Sequence, residues 1–364
     1  MSFFKKLFGK KEQPVNSYAA FWVWFGENAQ TFFPIVKRMG NIQRDFFAHV
    51  SPKLMALHEG YYLLTGMKNP ETAELVFSAE GNLRNFVFVE ELVAAAPPIP
   101  GWTFTAHKPA IDSTTFGVEM EGIQFDHKTL HFYPIEDSAF PDLIQIAIVH
   151  RDLTAENRPV ITNGCFVFLD NYIGELRVVT EIDQVYIVGK ADATGELMTM
   201  DKLGPYLTWR QAEFVEKYEG ERQNTEHGNY AIMEATLQNG KGLIATINQD
   251  LLQWDRKASH PWMLIVEIGY RSDGDHGMPD QSTADSLNAI EDKIIVQLPD
   301  HEGYLNIGRQ TSENLRSIFI ACRDFRKPSK VLEAIAKEFK GSYQIEFEIF
   351  KDKYWRSVER FAKP

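Results

Sequence analysis

Apolar and polar positions follow their clearest rhythm toward the C-terminal end of the chain. Residues 262–270 (Trp-Met-Leu-Ile-Val-Glu-Ile-Gly-Tyr) form a nearly unbroken apolar run of strand length, the pattern of a central strand. A polar loop follows. A helix is then predicted to open at Ser282 or Thr283, with Leu287, Ile290, Ile294 and Leu298 on one face and Asp292 and Lys293 turned away. Ser282 and Asp285 have capping-box spacing, with Asp in the usual Glu place, and Pro299 ends the helix. Strands are predicted at Tyr304–Arg309 and Arg316–Cys322. A second helix starts near Pro328, buries Val331, Leu332, Ile335 and Phe339, and stops at Gly341. The strand Tyr343–Phe350 alternates Ile345, Phe347 and Ile349 with Gln344, Glu346 and Glu348. The order β-α-β-β-α-β describes a ferredoxin-like split β-α-β sandwich.

The N-terminal part follows a similar but looser rhythm. Strands are predicted at Phe21–Phe25, Tyr61–Gly66, Glu74–Ala79 and Trp102–His107, with helices at Asn41–Glu59 and Asn85–Ala96. Pro52 predicts a kink or a break in the first helix. This is again β-α-β-β-α-β, which suggests a duplicated unit over residues 18–109. Between the two units come a hairpin (Gly117–Phe125 with Thr129–Tyr133), a buried strand Leu143–His150, an apolar helix Ile161–Ile173 and a strand Gln184–Val188. These make a hairpin and β-α-β region over residues 114–190. A second hairpin pairs Tyr230–Leu237 with Gly242–Asn248 and turns at Asn239-Gly240. The polar run 216–229 reads as a linker between residues 15–215 and a C-terminal domain at 230–364. The fold class expected is therefore α+β, built of repeated ferredoxin-like units with added β-hairpins.

Composition narrows the function classes without choosing one. The chain of 364 residues is 44% hydrophobic and 24% charged, an ordinary globular balance, and has length to spare for real cores. Its net charge of −12 gives no electrostatic reason to expect a nucleic-acid coat, so no nucleic-acid partner is expected. The two cysteines, Cys165 and Cys322, sit in apolar stretches far apart and read as small buried hydrophobes of a reduced, cytoplasmic protein. Residues 1–14 carry Lys5, Lys6, Lys10 and Lys11 among Phe3, Phe4, Leu7 and Phe8. Such a basic amphipathic tail can rest weakly on an anionic membrane surface, although a solvated tail explains it as simply.

No phosphate loop, GxGxxG turn, HExxH helix or GxSxG elbow occurs, and no cofactor is expected. The loop with Asp273, Asp275, His276 and Asp280, with Asp285 beyond, gathers oxygen ligands and one imidazole. Its spacing departs from a calcium loop, and acids before a helix N-terminus need no metal. His127 and His131, next to Asp126, would share one strand face, but surface histidines on a hairpin are the simpler reading. Trp254, Tyr354 and Trp355 lie at segment ends beside Asp255, Arg256, Asp352 and Lys353. Aromatic anchors ringed by charge suit protein recognition.

Residues 229–364 carry a series of short motifs in order. These are Met278-Pro279, Ile290-Glu291, Asn306-Ile307-Gly308-Arg309-Gln310-Thr311, Arg316-Ser317-Ile318-Phe319 and Asp352-Lys353-Tyr354-Trp355. In these the region resembles the bacterial family named domain of unknown function 695. That family usually has an aromatic late in its third strand, where this chain has Ala321-Cys322. The resemblance implies the ferredoxin-like fold and no established activity.

The function expected is a non-catalytic protein-binding or regulatory module, with Trp254, Tyr354, Trp355, Arg309 and Asp352 as binding candidates. Its partner would be another protein or a second copy of the chain. The alternative is a hydrolase or nucleotide-handling enzyme with Asp273, Asp275, His276, Arg309 and Asp352 converging between the two halves.

Overall fold

The computed structural model describes residues 15–111, 113–272 and 277–362; the tail 1–14 and the loop residues Asp273, Asp275 and His276 lie outside them. The chain divides into two compact units, one holding Met1–Ile111 with Leu169–Leu176 and the other Asp112–Phe168 with Arg177–Pro364. Both are mixtures of helix and sheet, as an α+β reading requires.

The first unit opens with a helix where a strand was expected. Helix α1 (Tyr18–Lys37) starts at the N-cap Ser17, whose side chain accepts the Ala20 N–H. The run Phe-Trp-Val-Trp-Phe has strong β-propensity. Continued through Ala29, Phe32 and Val36, however, its buried positions have helical spacing, and tertiary burial overrides the local preference. A π-helical turn (Gln43–Phe47) and helix α2 (Ala48–Met55) follow, with Pro52 inside α2. Strands β1 (Tyr62–Asn69) and β2 (Thr72–Ser78) pair antiparallel. Helix α3 (Leu83–Ala94) then crosses to β3 (Trp102–Ala106), which pairs parallel to β2. The sheet thus has three strands in the order β1-β2-β3, and the four-stranded duplicate expected over 18–109 does not form. Rings bind α1 to this sheet, with Phe25 5.1 Å from Trp102 and 5.5 Å from Phe104, and Trp22 ties it to α3 by donating from Nε1 to the Leu92 carbonyl at 2.7 Å.

The second unit begins with a tight hairpin of β4 (Gly117–Met120) and β5 (Ile123–Asp126), which turns at Glu121 and Gly122. The pairing expected between Gly117–Phe125 and Thr129–Tyr133 is replaced, because β6 (Leu130–Ile135) pairs instead with β7 (Gln145–His150). From β7 a helical run of α4 (Arg158–Leu169), a π-helical turn (Asp170–Gly174) and α5 (Glu175–Glu181) leads to β8 (Gln184–Gly189), parallel to β7. The short β9 (Met198–Thr199) completes a four-stranded sheet. Helix α6 (Leu203–Tyr218) had no counterpart in the sequence reading. Only Leu203, Leu207 and Tyr218 of it are buried, which leaves almost no apolar stripe to detect.

The C-terminal sheet follows the predicted rhythm closely. Strands β10 (Tyr230–Thr236) and β11 (Gly242–Asn248) form the expected hairpin, with Gln238, Asn239 and Gly240 looping between the bonded Leu237 and Lys241. A short helix α7 (Gln249–Gln253) leads to β12 (Trp262–Gly269). Helix α8 (Gln281–Gln297), β13 (Tyr304–Ser312), β14 (Leu315–Cys322), helix α9 (Arg326–Phe339) and β15 (Gln344–Lys351) then follow. The six strands lie in the order β10-β11-β13-β14-β12-β15, with every neighbour antiparallel. The α8 cap is Asp280, which accepts the Thr283 N–H at 2.7 Å, in place of the predicted Ser282. One sheet face carries a core of Ala245, Ile247, Met263, Leu305, Ile307, Phe319 and Ala321. The final 3₁₀ turn (Arg356–Phe361) covers it with Val358 and Phe361. Both cysteines are free and buried.

The register of β13 shifts between Asn306 and Gly308. Gly308 sits there at φ +144°, and a Cβ on it would lie 2.1 Å from the Thr246 carbonyl oxygen of β11. Gly308→Ala should therefore cost about 3–5 kcal/mol in urea unfolding, because backbone strain and a backbone clash add. A loss below about 1 kcal/mol would mean that the two strands do not approach this closely.

Candidate functional site

The candidate residues divide between the two faces of the C-terminal sheet. Trp355, expected as a surface anchor, is 1% exposed; its left-handed backbone (φ +56°) turns the ring into the core, where Nε1 donates to the His260 carbonyl at 3.0 Å. Trp254 is half-buried, with its ring 6.0 Å from that of Trp355. Asp352 accepts the N–H groups of Arg356 and Ser357, each at 2.9 Å, and the Ser357 hydroxyl at 2.8 Å, so its carboxylate caps the final turn. Arg309 instead pairs with Glu291 of α8, on the opposite face, so Arg309 and Asp352 do not converge on one site. His127 lies in the turn after β5 and His131 on β6, beside Thr199 and Val149. Among the described residues no group of three or more His, Cys, Asp or Glu side chains is placed to hold a metal ion. Asp280 is occupied as a helix cap, and Asp273, Asp275 and His276 lie outside those residues.

Two buried charge clusters emerge instead. In the first, Glu291 Oε2 lies 2.9 Å from Arg309 Nη1 and 3.6 Å from Arg316 Nη1. Arg316 also donates to Asn288 Oδ1 at 2.8 Å and to Thr311 Oγ1 at 3.3 Å. Burial pushes the Glu291 carboxyl above its ordinary range, opposed by the two guanidinium groups, and burial likewise lowers Arg316. Because α8 supplies Glu291 and Asn288 while β13 and β14 supply Arg309 and Arg316, this cluster fixes how the helix lies on the sheet.

The second cluster surrounds Lys353, whose side chain is 1% exposed. Its Nζ donates to Asp183 Oδ2 at 2.7 Å and to the Asp142 carbonyl at 2.8 Å, and lies 4.2 Å from the Phe214 ring centre. Lys351 Nζ reaches the other Asp183 oxygen at 3.0 Å. The Asp142 carboxylate accepts Lys217 Nζ at 2.6 Å and the hydroxyls of Tyr218 and Tyr354 at 2.8 and 2.9 Å. Burial lowers Lys353 to about 8 and, together with the Asp142 carboxylate, raises both tyrosines above their ordinary range. A lysine near neutrality can act as a base or a nucleophile where a substrate reaches it. Here the surrounding protein encloses it and satisfies it. The sequence reading named Tyr354 and Asp352 as binding candidates, noted Lys353 only as a charge beside them, and missed Asp183 and Asp142. A lysine after a strand and two isolated aspartates carry no local signal of a buried pair.

The geometry predicts a specific pH response. The folded chain loses the Lys353 proton near pH 8 and the unfolded chain near 10.5. Stability on this account is full above 10.5, and is lost as pH falls through about 8. Between these limits it should rise by up to about 1.4 kcal/mol per pH unit. Lys353→Met should abolish that rise in urea unfolding measured at pH 7.5 to 10. Asp183→Asn, which strands two ammonium groups, should cost about 3–5 kcal/mol at neutral pH.

No helix among the described residues is long and apolar enough to cross a membrane. No curated protein and no solved structure matches the chain. Its N-terminal region has no family match. Residues 233–361, about a third of the chain, match the model of a family described as a family of unknown function (DUF695).

Proposed function

We propose that residues 230–364 form a ferredoxin-like binding domain that takes up an extended segment of a partner protein along the free edge of β10, without catalysis. The antiparallel order β13-β14-β12-β15, with α8 and α9 as the two crossovers, supports the split β-α-β reading. The β10–β11 hairpin lengthens this sheet beyond β13. Among the described residues β10 pairs only with β11, so its outer edge offers unpaired backbone groups.

The observation that carries the proposal is the apolar character of that edge. Ile232 is 71% exposed, Tyr230 41% and Ile244 38%. The register puts all three on the face that also holds Thr311 and Arg309. An added strand would cover Tyr230 and Ile232 while its backbone completes the ladder. The net charge of −12, with Glu234 on this strand, favours a segment of positive charge. Regulation would follow from occupancy of the edge alone.

A photo-crosslinking residue at position 232 of the full chain, used in the native host, tests the proposal. Crosslinks should map to one extended segment of another protein and fall about tenfold with Ile244→Lys, but not with Val296→Lys on α8. Crosslinks to β10 of a second copy would overturn it in favour of a homodimer. Scattered or absent crosslinks would leave no binding edge at all.

A further inference from the structure

In the first unit, backbone N–H groups from two strand ends converge on an internal carboxylate. Glu175 is fully buried. Its Oε1 accepts the N–H groups of Ala79 and Gly81 and its Oε2 that of Lys108, all at 3.1 Å. Ala79 and Gly81 follow β2, and Lys108 follows β3, so the carboxylate sits at the C-terminal ends of two parallel strands joined by a helical crossover. Open α/β sheets bind their ligands at such ends. The donors belong to the strand ends rather than to the first turn of α3, whose N-cap Asn82 serves its own Arg84 N–H.

Three features set this contact apart. Glu80 and His107, which flank the donors, adopt left-handed backbones at φ +48° and +64°, unfavourable for residues with a side chain. Glu175 follows the π-helical turn Asp170–Gly174, a departure from α-helical geometry of the kind found at functional sites, and Gly174 at φ +94° meets its close approach to Ala110 without a side chain. The local charges oppose it as well. Lys108 Nζ pairs with Glu80 at 2.9 Å and lies 3.8 Å from Asp170. Burial pushes the Asp170 carboxyl up to about 6, Glu175 and Glu80 raising it further against Lys108. Asp170 thus faces two neighbouring carboxyl groups and one ammonium group. His107 adds a buried Nδ1 with no hydrogen-bond partner among the described residues.

We infer that the ends of β2 and β3 form a carboxylate-binding cradle that Glu175 occupies as a displaceable internal ligand. Two donors on one oxygen and one on the other suit a planar monoanion. A phosphate dianion would meet stronger repulsion from Glu80 and Asp170. The ligand class is therefore a carboxylate, from a small acid or an acidic side chain. Its binding would free the helical turn that carries Glu175. This inference does not depend on the proposed strand-binding edge.

Acetate is the probe, with the full chain and amide NMR as readout and chloride as the ionic-strength control. Glu175→Ala should show saturable acetate shifts at the Ala79, Gly81 and Lys108 amides. The unsubstituted chain should reach the same end point at acetate about tenfold or more higher, because Glu175 competes from within. Glu175→Gln, which keeps an acceptor oxygen, should fall between them. If Glu175→Ala folds poorly, its refolding yield should be higher in acetate than in chloride. No saturable response in Glu175→Ala, or equal refolding yields, would remove the cradle. An unsubstituted chain that never responds, at about a hundredfold the acetate that saturates Glu175→Ala, would make Glu175 a permanent fastening.

Discussion

An ammonium group taken out of water must find its anion inside the protein or give up its proton, and Lys353 meets that demand with Asp183 and the Asp142 carbonyl. These partners stand 170 and 211 residues away along the chain. To satisfy one lysine, the end of β15, the segment before β7 and the start of β8 must meet. Lys217 and Tyr218 of α6 join them through the Asp142 carboxylate. The assembly of the second unit thus depends on a contact that contributes little if complete and costs several kcal/mol if half of it is removed.

The same constraint recurs at smaller scale. Glu291 on α8 faces Arg309 and Arg316 across the sheet, so the helix can neither slide nor roll without exposing a buried carboxylate to apolar surroundings. In the first unit, Glu175 takes three backbone N–H groups in place of a cation. The difference between these sites bears on function. The Lys353 and Glu291 clusters gather opposite charges, whereas Glu175 has the like-charged Asp170 as a neighbour. A contact held against its neighbours can be exchanged; one held by them is a fastening.

The C-terminal strands and helices were legible because each depends on a pattern within its own residues. Alternation in Tyr343–Phe350 and the spacing of Leu287, Ile290 and Ile294 are properties of a few consecutive turns or pleats. Reading failed where burial was decided elsewhere. The aromatic run from Phe21 to Phe25 suits a strand by propensity, yet rings from β2 and β3 make it a helix. Helix α6 shows so few apolar positions that only its charged and hydroxyl contacts betray its packing. Trp355 and Asp352 were expected as binding residues at the surface, and the structure places the first in the core and the second on the final turn. Their roles, a core ring and a turn cap, depend on a left-handed backbone that no pattern of residue types announces.

The sequence by itself determined the α+β character, the strand and helix order from Trp262 to Lys351, the burial of both cysteines and the acidity of the chain. All of these follow from local periodicity and composition. Tertiary structure alone decided which strands became neighbours in the first unit and the middle of the chain. It also decided which charges were taken out of water and which edge was left unpaired. The physical reason is range. Hydrophobic periodicity is written over neighbouring residues, whereas the Lys353–Asp183 pair joins positions 170 residues apart.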